Sequence, residues 1–147
     1  NPMKSRSLFC AALAVLLLLL SYLCSLLPGG NYSPAEQTSL ASGARMSLPF
    51  AALLLRSAVF PAVCEEMYYR RSLSDAIASV GAGRFTACIC AALLFAVSHT
   101  GGGVSSVLLA GISSLILSAL RTRSKSIACP IAAHLIYNST VLIVANI

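Results

Sequence analysis

Apolar residues run through this chain in long blocks, broken by short polar or glycine-rich stretches. Blocks of about 20 apolar residues, enough to cross a hydrocarbon layer about 30 Å thick, predict helices over 8–27, 48–69, 84–100, 103–120 and 127–147. The breaks have identifiable causes. Pro28-Gly29-Gly30-Asn31 stops the first block, Gly81-Ala82-Gly83-Arg84 precedes the third, Gly101-Gly102-Gly103 parts the third from the fourth, and Arg121 to Lys125 parts the fourth from the fifth. The stretch from Ser72 to Val80 is mildly amphipathic and carries Asp75, so it either extends the second helix or lies along the membrane interface. The predicted fold is all-α, a polytopic transmembrane helical bundle of about five spans, or four if the first is not counted. Residues 1–47 would form an N-terminal transmembrane anchor and exoplasmic loop, and residues 48–147 the functional core.

Composition supports the membrane reading. Of 147 residues, 58% are hydrophobic and 10% charged, with a mean hydropathy of +0.87, whereas about a quarter of a soluble domain is charged. A disordered tail, a secreted disulfide scaffold and an ordinary cytosolic enzyme are excluded. Lys4 and Arg6 before an apolar core also open a signal peptide, but the core exceeds a normal h-region and no A-x-A site follows. Nor does Leu20-Ser21-Tyr22-Leu23 supply the small residues that a lipoprotein site needs before Cys24. The segment reads as a retained anchor.

The net charge of +6 does not indicate a nucleic-acid partner, because the basic residues form no continuous stripe and no aromatics interleave them. They do orient the bundle. With odd helices running outward, Lys4, Arg6, Arg70, Arg71, Arg84, Arg121, Arg123 and Lys125 fall on one side and Arg45 alone on the other, which predicts a cytoplasmic N-terminus and an exoplasmic C-terminus. Arg56 falls inside the second span, where it must snorkel, pair or line a wet cavity. The six cysteines lie in or beside apolar runs without a CxxC pair and read as small hydrophobes.

Within such runs, ionisable groups default to functional or pairing roles. Glu65, Glu66, His99, His134 and Asn138 stand out. Glu66 and Arg70 are four apart, so the guanidinium can neutralise one carboxylate while Glu65 faces elsewhere and is free to take a proton; a juxtamembrane charged collar is the bland alternative. Phe95 and His99 share a helix face, although a histidine there also serves as an end cap. His134 and Asn138 are again four apart, a pair that either joins helices or aims two donors at one oxygen. Pro61 and Pro130 each precede a polar group by four residues, which predicts matching bends beside a wet cavity.

A carboxylate, two imidazoles and an amide suffice for hydrolysis without a side-chain nucleophile. Glu65, with His99, would take a proton from attacking water, and His134 with Asn138 would donate to the oxyanion. Zinc held by Glu65, His99 and His134 is the competing mechanism, although H-E-x-x-H is absent. A serine hydrolase has no G-x-S-x-G turn to support it.

The three motifs, E-E-x-x-x-R at Glu65 to Arg70, F-x-x-x-H at Phe95 to His99 and H-x-x-x-N at His134 to Asn138, resemble in order and kind the CAAX-protease and bacteriocin-processing (CPBP, or Abi) family of intramembrane endopeptidases. Gly111 and the Ser126-Ile127 helix entry extend the likeness over roughly residues 60 to 147. The resemblance implies a glutamic-type intramembrane peptidase without a cofactor, in which Glu65 and His99 activate water, His134 and Asn138 form the oxyanion site, and Glu66, Arg70 and Phe95 support them. It implies a membrane-associated peptide or protein as substrate and, given the short chain, a compact enzyme of a prokaryotic cytoplasmic membrane. A non-enzymatic immunity or peptide-binding membrane protein is the alternative from a different class.

Overall fold

A computed structural model describes residues 49–144, together with residues 12, 15–17, 19–20 and 23. All described secondary structure is helical. Residues 50–79 form one continuous helix, α1, in which α-helical stretches (Phe50–Leu54, Phe60–Glu65, Ser74–Ser79) alternate with the wider π-helical turns Leu55–Val59 and Glu66–Leu73. Pro61 explains the first widening. It has no N–H to donate, and the turn before it opens so that the Phe60 N–H bonds the Leu55 carbonyl. In the second, Ser72 Oγ–H reaches back five residues to the Met67 carbonyl at 3.2 Å.

Helix α2 spans Arg84–Val97, α3 Gly103–Ser124 and α4 Ala128–Val144, with a single 3₁₀ turn at Thr100–Gly102 between α2 and α3. Gly103 reverses the chain at φ +78, a conformation open chiefly to glycine. Helix α3 stops where Lys125 turns left-handed at φ 54 and its N–H bonds the Arg121 carbonyl. Ser126 then opens α4 by accepting the Ala128 N–H on its hydroxyl.

Neighbouring helices run antiparallel. Leu53 near the start of α1 packs on Leu142 near the end of α4, and Gly111 on α3 lets Ala96 of α2 come close, 3.4 Å from the place of an added Cβ. Leu117 and Leu120 of α3 and Ala133 of α4 form a buried cluster with Leu17. The predicted first span otherwise lies mostly outside the described residues.

Of the two readings of Ser72 to Val80, extension of the second helix holds, since α1 runs on to Ser79. Three other expectations change. The third helix ends at Val97 rather than 100: the His99 N–H bonds the Ala96 carbonyl three residues back, and the chain passes into the 3₁₀ turn at Thr100–Gly102. Pro130 does not bend α4; it sits in the first turn, where backbone N–H groups have no intrahelical acceptor to lose. Five full spans are not seen: among the described residues only the helix through Thr100–Ser124 is long and apolar enough to cross a membrane by length and composition, while α2 and α4 are apolar but shorter.

Candidate active site

The site forms where α1 meets α4 on one side and α2 on the other. Of the two adjacent glutamates on α1, Glu66 is fully buried and Glu65 keeps 30% of its side-chain exposure. Consecutive helical residues point about 100° apart, so one acid turns into the bundle and the other toward its margin. Arg70, one turn on and itself buried, sets its Nη1 3.0 Å from Glu66 Oε1. A buried ion pair is tolerable only with such compensation.

His134, 68 residues later on α4, completes the pair. Its Nδ1 lies 2.9 Å from the same Glu66 oxygen. A carboxylate accepts, so Nδ1 carries the proton and Nε2 is the nitrogen left for chemistry. That Nε2 lies 3.8 Å from Glu65 Oε2, beyond direct hydrogen bonding. Thus Glu66 fixes the ring, and the ring's other edge faces the freer glutamate.

On the opposite side Phe95, buried on α2, receives the Arg70 guanidinium over its face at 4.7 Å and meets Tyr69 in a T-shaped contact with centroids 5.0 Å apart. His99 follows just past the end of α2, its ring 4.5 Å from that of Phe95. The F-x-x-x-H pair therefore meets although the helix ends between its members. His99 Nδ1 lies 2.8 Å from the Phe95 carbonyl, which can only accept, so here too Nε2 is left open. Ser98 Oγ–H donates to the same carbonyl at 2.7 Å. Glu65 lies within electrostatic reach of both histidines and of Arg70.

The site residues are thus not joined equally. Glu66, Arg70, His134, Phe95 and His99 form one chain of contacts, with Glu65 beside it. Asn138 is half-buried one turn after His134 and, among the described residues, joins none of these contacts. Tyr69 was not singled out by spacing; its signal is an aromatic residue directly before the arginine of the first motif. The zinc set Glu65, His99 and His134 does not fit this arrangement. Among the described residues no three His, Cys, Asp or Glu side chains are placed to hold a metal ion.

Comparison with known proteins agrees with the three motifs. No curated protein and no solved structure matches the chain. A family model described as Type II CAAX prenyl endopeptidase Rce1-like matches residues 47–140, which include α1, α2, α3, Glu65, Glu66, Arg70, Phe95, His99, His134 and Asn138. The protein therefore belongs to the Rce1-like family of CAAX prenyl endopeptidases.

Proposed function

We propose that the chain is a glutamic-type intramembrane endopeptidase that hydrolyses a peptide bond in a membrane-associated peptide or protein. The observation that carries this reading is the division of labour between neighbouring acids, Glu66 enclosed by Arg70 and His134 while Glu65 remains partly exposed beside them. Family membership supports the same class of activity.

In the proposed reaction Glu65, with Nε2 of His99 assisting, removes a proton from water as its oxygen attacks the scissile carbonyl carbon. The carbonyl π-bond opens to an oxyanion, which accepts hydrogen bonds from His134 and Asn138. The first of these needs a second proton, on Nε2 of His134, so the ring donates as an imidazolium; Glu66, which accepts from Nδ1–H, holds the ring with Nε2 toward Glu65. Collapse breaks the C–N bond, and the proton taken by Glu65 passes to the departing amine. Glu66 and Arg70 position groups and do not touch the reacting atoms.

The family's named substrate suggests the first probe, a C-terminally prenylated CAAX peptide in vesicles beside its unprenylated counterpart. Under single turnover, Glu65→Gln should lower the cleavage rate by at least about 10²-fold while substrate affinity stays near wild type. Full cleavage by Glu65→Gln would overturn the mechanism. Binding without cleavage by the wild type, unchanged in Glu65→Gln, would instead favour a peptide-binding protein.

A further inference from the structure

At the far end of α1 the hairpin into α2 carries the two most exposed large apolar side chains among the described residues, Val80 at 84% and Phe85 at 79%. They flank Gly81, whose φ of +94 turns the chain. Neither residue belongs to the site above, and a lone exposed side chain would call for no explanation. Here both stand at one tip, beside a concentration of positive charge. Arg84 lies between them in sequence, its side chain 81% exposed and only 3.8 Å from Asp75. Arg121 from the last turn of α3 reaches the same Asp75 at 3.3 Å. Arg71, one turn before Asp75 on α1, and Lys125 at the end of α3 are also exposed. Asp75 is the one acid in this group, and two arginines already share it.

We infer that this hairpin tip is a membrane-interface anchor that seats in a layer of anionic lipid headgroups, with Val80 and Phe85 at the glycerol level and Arg84 on phosphate. Depth favours headgroups over acyl chains or bulk water. From Gly103 to Arg121 helix α3 rises about 27 Å, so Asp75, which meets Arg121, stands near the edge of a hydrocarbon core about 30 Å thick. The tip lies about one helical turn farther out, within a headgroup layer about 5 to 7 Å deep on each side. An apolar pair with a basic partner is the combination that partitions there, and each basic residue adds attraction for anionic lipid. The loose contact to Asp75 leaves the Arg84 guanidinium donors to spare. The inference rests on the bundle crossing a bilayer and is independent of peptidase activity.

The chain has no tryptophan, which makes a direct test available. Phe85→Trp, and separately Leu115→Trp at an exposed site near the middle of α3, are reconstituted in vesicles of phosphatidylcholine alone or mixed equally with phosphatidylglycerol. Lipids brominated at shallow or deep acyl positions then report depth by quenching. Trp at position 115 should be quenched by deep bromines in both membranes, and failure there would refute the spanning frame itself. With that frame intact, Trp at position 85 should be quenched chiefly by shallow bromines, at least about twofold more in the anionic membrane, and adding Arg84→Gln should remove the difference. Ready quenching by aqueous acrylamide without lipid quenching would overturn the inference. So would equal quenching in both membranes, or a difference that survives Arg84→Gln. A blue-shifted Trp at position 85 reached by neither quencher would show the tip covered by protein, which also overturns it.

Discussion

The neighbouring glutamates make the most discriminating comparison at the scale of single residues. Glu66→Gln removes the carboxylate that pairs directly with the buried Arg70 guanidinium, and breaking a buried pair on one side typically costs about 3 to 5 kcal/mol. Its primary effect should therefore be on stability, read as a lower detergent-resistant folded fraction, with cleavage falling in proportion to folded protein and by the loss of His134 orientation. Glu65→Gln should leave the folded fraction unchanged. Asn138→Ala should reduce turnover by a factor equal to or below that of Glu65→Gln, since one oxyanion donor is worth about 2 to 4 kcal/mol, and substrate affinity measured alongside should change little. These acids and histidines were legible in the sequence because each interrupts an apolar run. Tyr69 was not, because an aromatic beside a basic residue at the end of a span reads equally well as an interfacial belt. Only the ring contact with Phe95 separates the two readings.

Among the elements, α1 departs most from a regular helix. A π-helical turn places an extra residue in the ring closed by a backbone hydrogen bond, so every side chain beyond it is rotated relative to an uninterrupted α-helix. The turn at Leu55–Val59 thus helps set which of Glu65 and Glu66 faces His134. Pro61→Ala restores an N–H and allows these residues to close into α-helix. The variant should insert and remain folded, yet cleave more slowly than wild type at unchanged protein level; unaltered single-turnover cleavage would show that the widened turn has no part in aiming the acids. The sequence indicated that Pro61 disturbs its helix but not the form of the disturbance. It misplaced Pro130 because the start of α4, set by Ser126, lies too close for the missing N–H to matter.

At the scale of the whole molecule, the apolar blocks were enough to read a helical membrane protein, and family membership places it in that setting. Their lengths were misleading where function intrudes. Helix α2, 14 residues or about 21 Å long, is shorter than a hydrocarbon core, and ends where His99 must turn back toward Phe95. Spacing along straight helices also leaves His99 and His134 at different depths, about 22 and 10 Å from their span starts, yet both lie within electrostatic reach of Glu65. The proposed orientation makes a direct prediction. Cysteine labelling from each side of the membrane should find residues 121–125 cytoplasmic and residue 147 exoplasmic, and the same side for both would refute it. Exhaustive chelation should leave cleavage intact, whereas reversible loss restored by zinc alone would return the metal mechanism.

The pairing of Glu66 with Arg70 inside one helix bears on how the chain is made. During synthesis α1 leaves the ribosome long before α4, and His134 follows Glu66 by 68 residues. A charged side chain at the centre of an inserting helix costs about 2.5 to 3.5 kcal/mol on the insertion scale, and α1 carries its counterion one turn away. It can therefore enter the bilayer already neutralised, with Glu66 holding an acceptor in reserve for a partner that has yet to be translated. A nascent chain ending at residue 125 should insert α1 as efficiently as the full chain in a glycosylation-reporter assay, and Arg70→Gln should lower that efficiency in both. The contact that orients an imidazole in the finished enzyme would then begin as a provision for biogenesis.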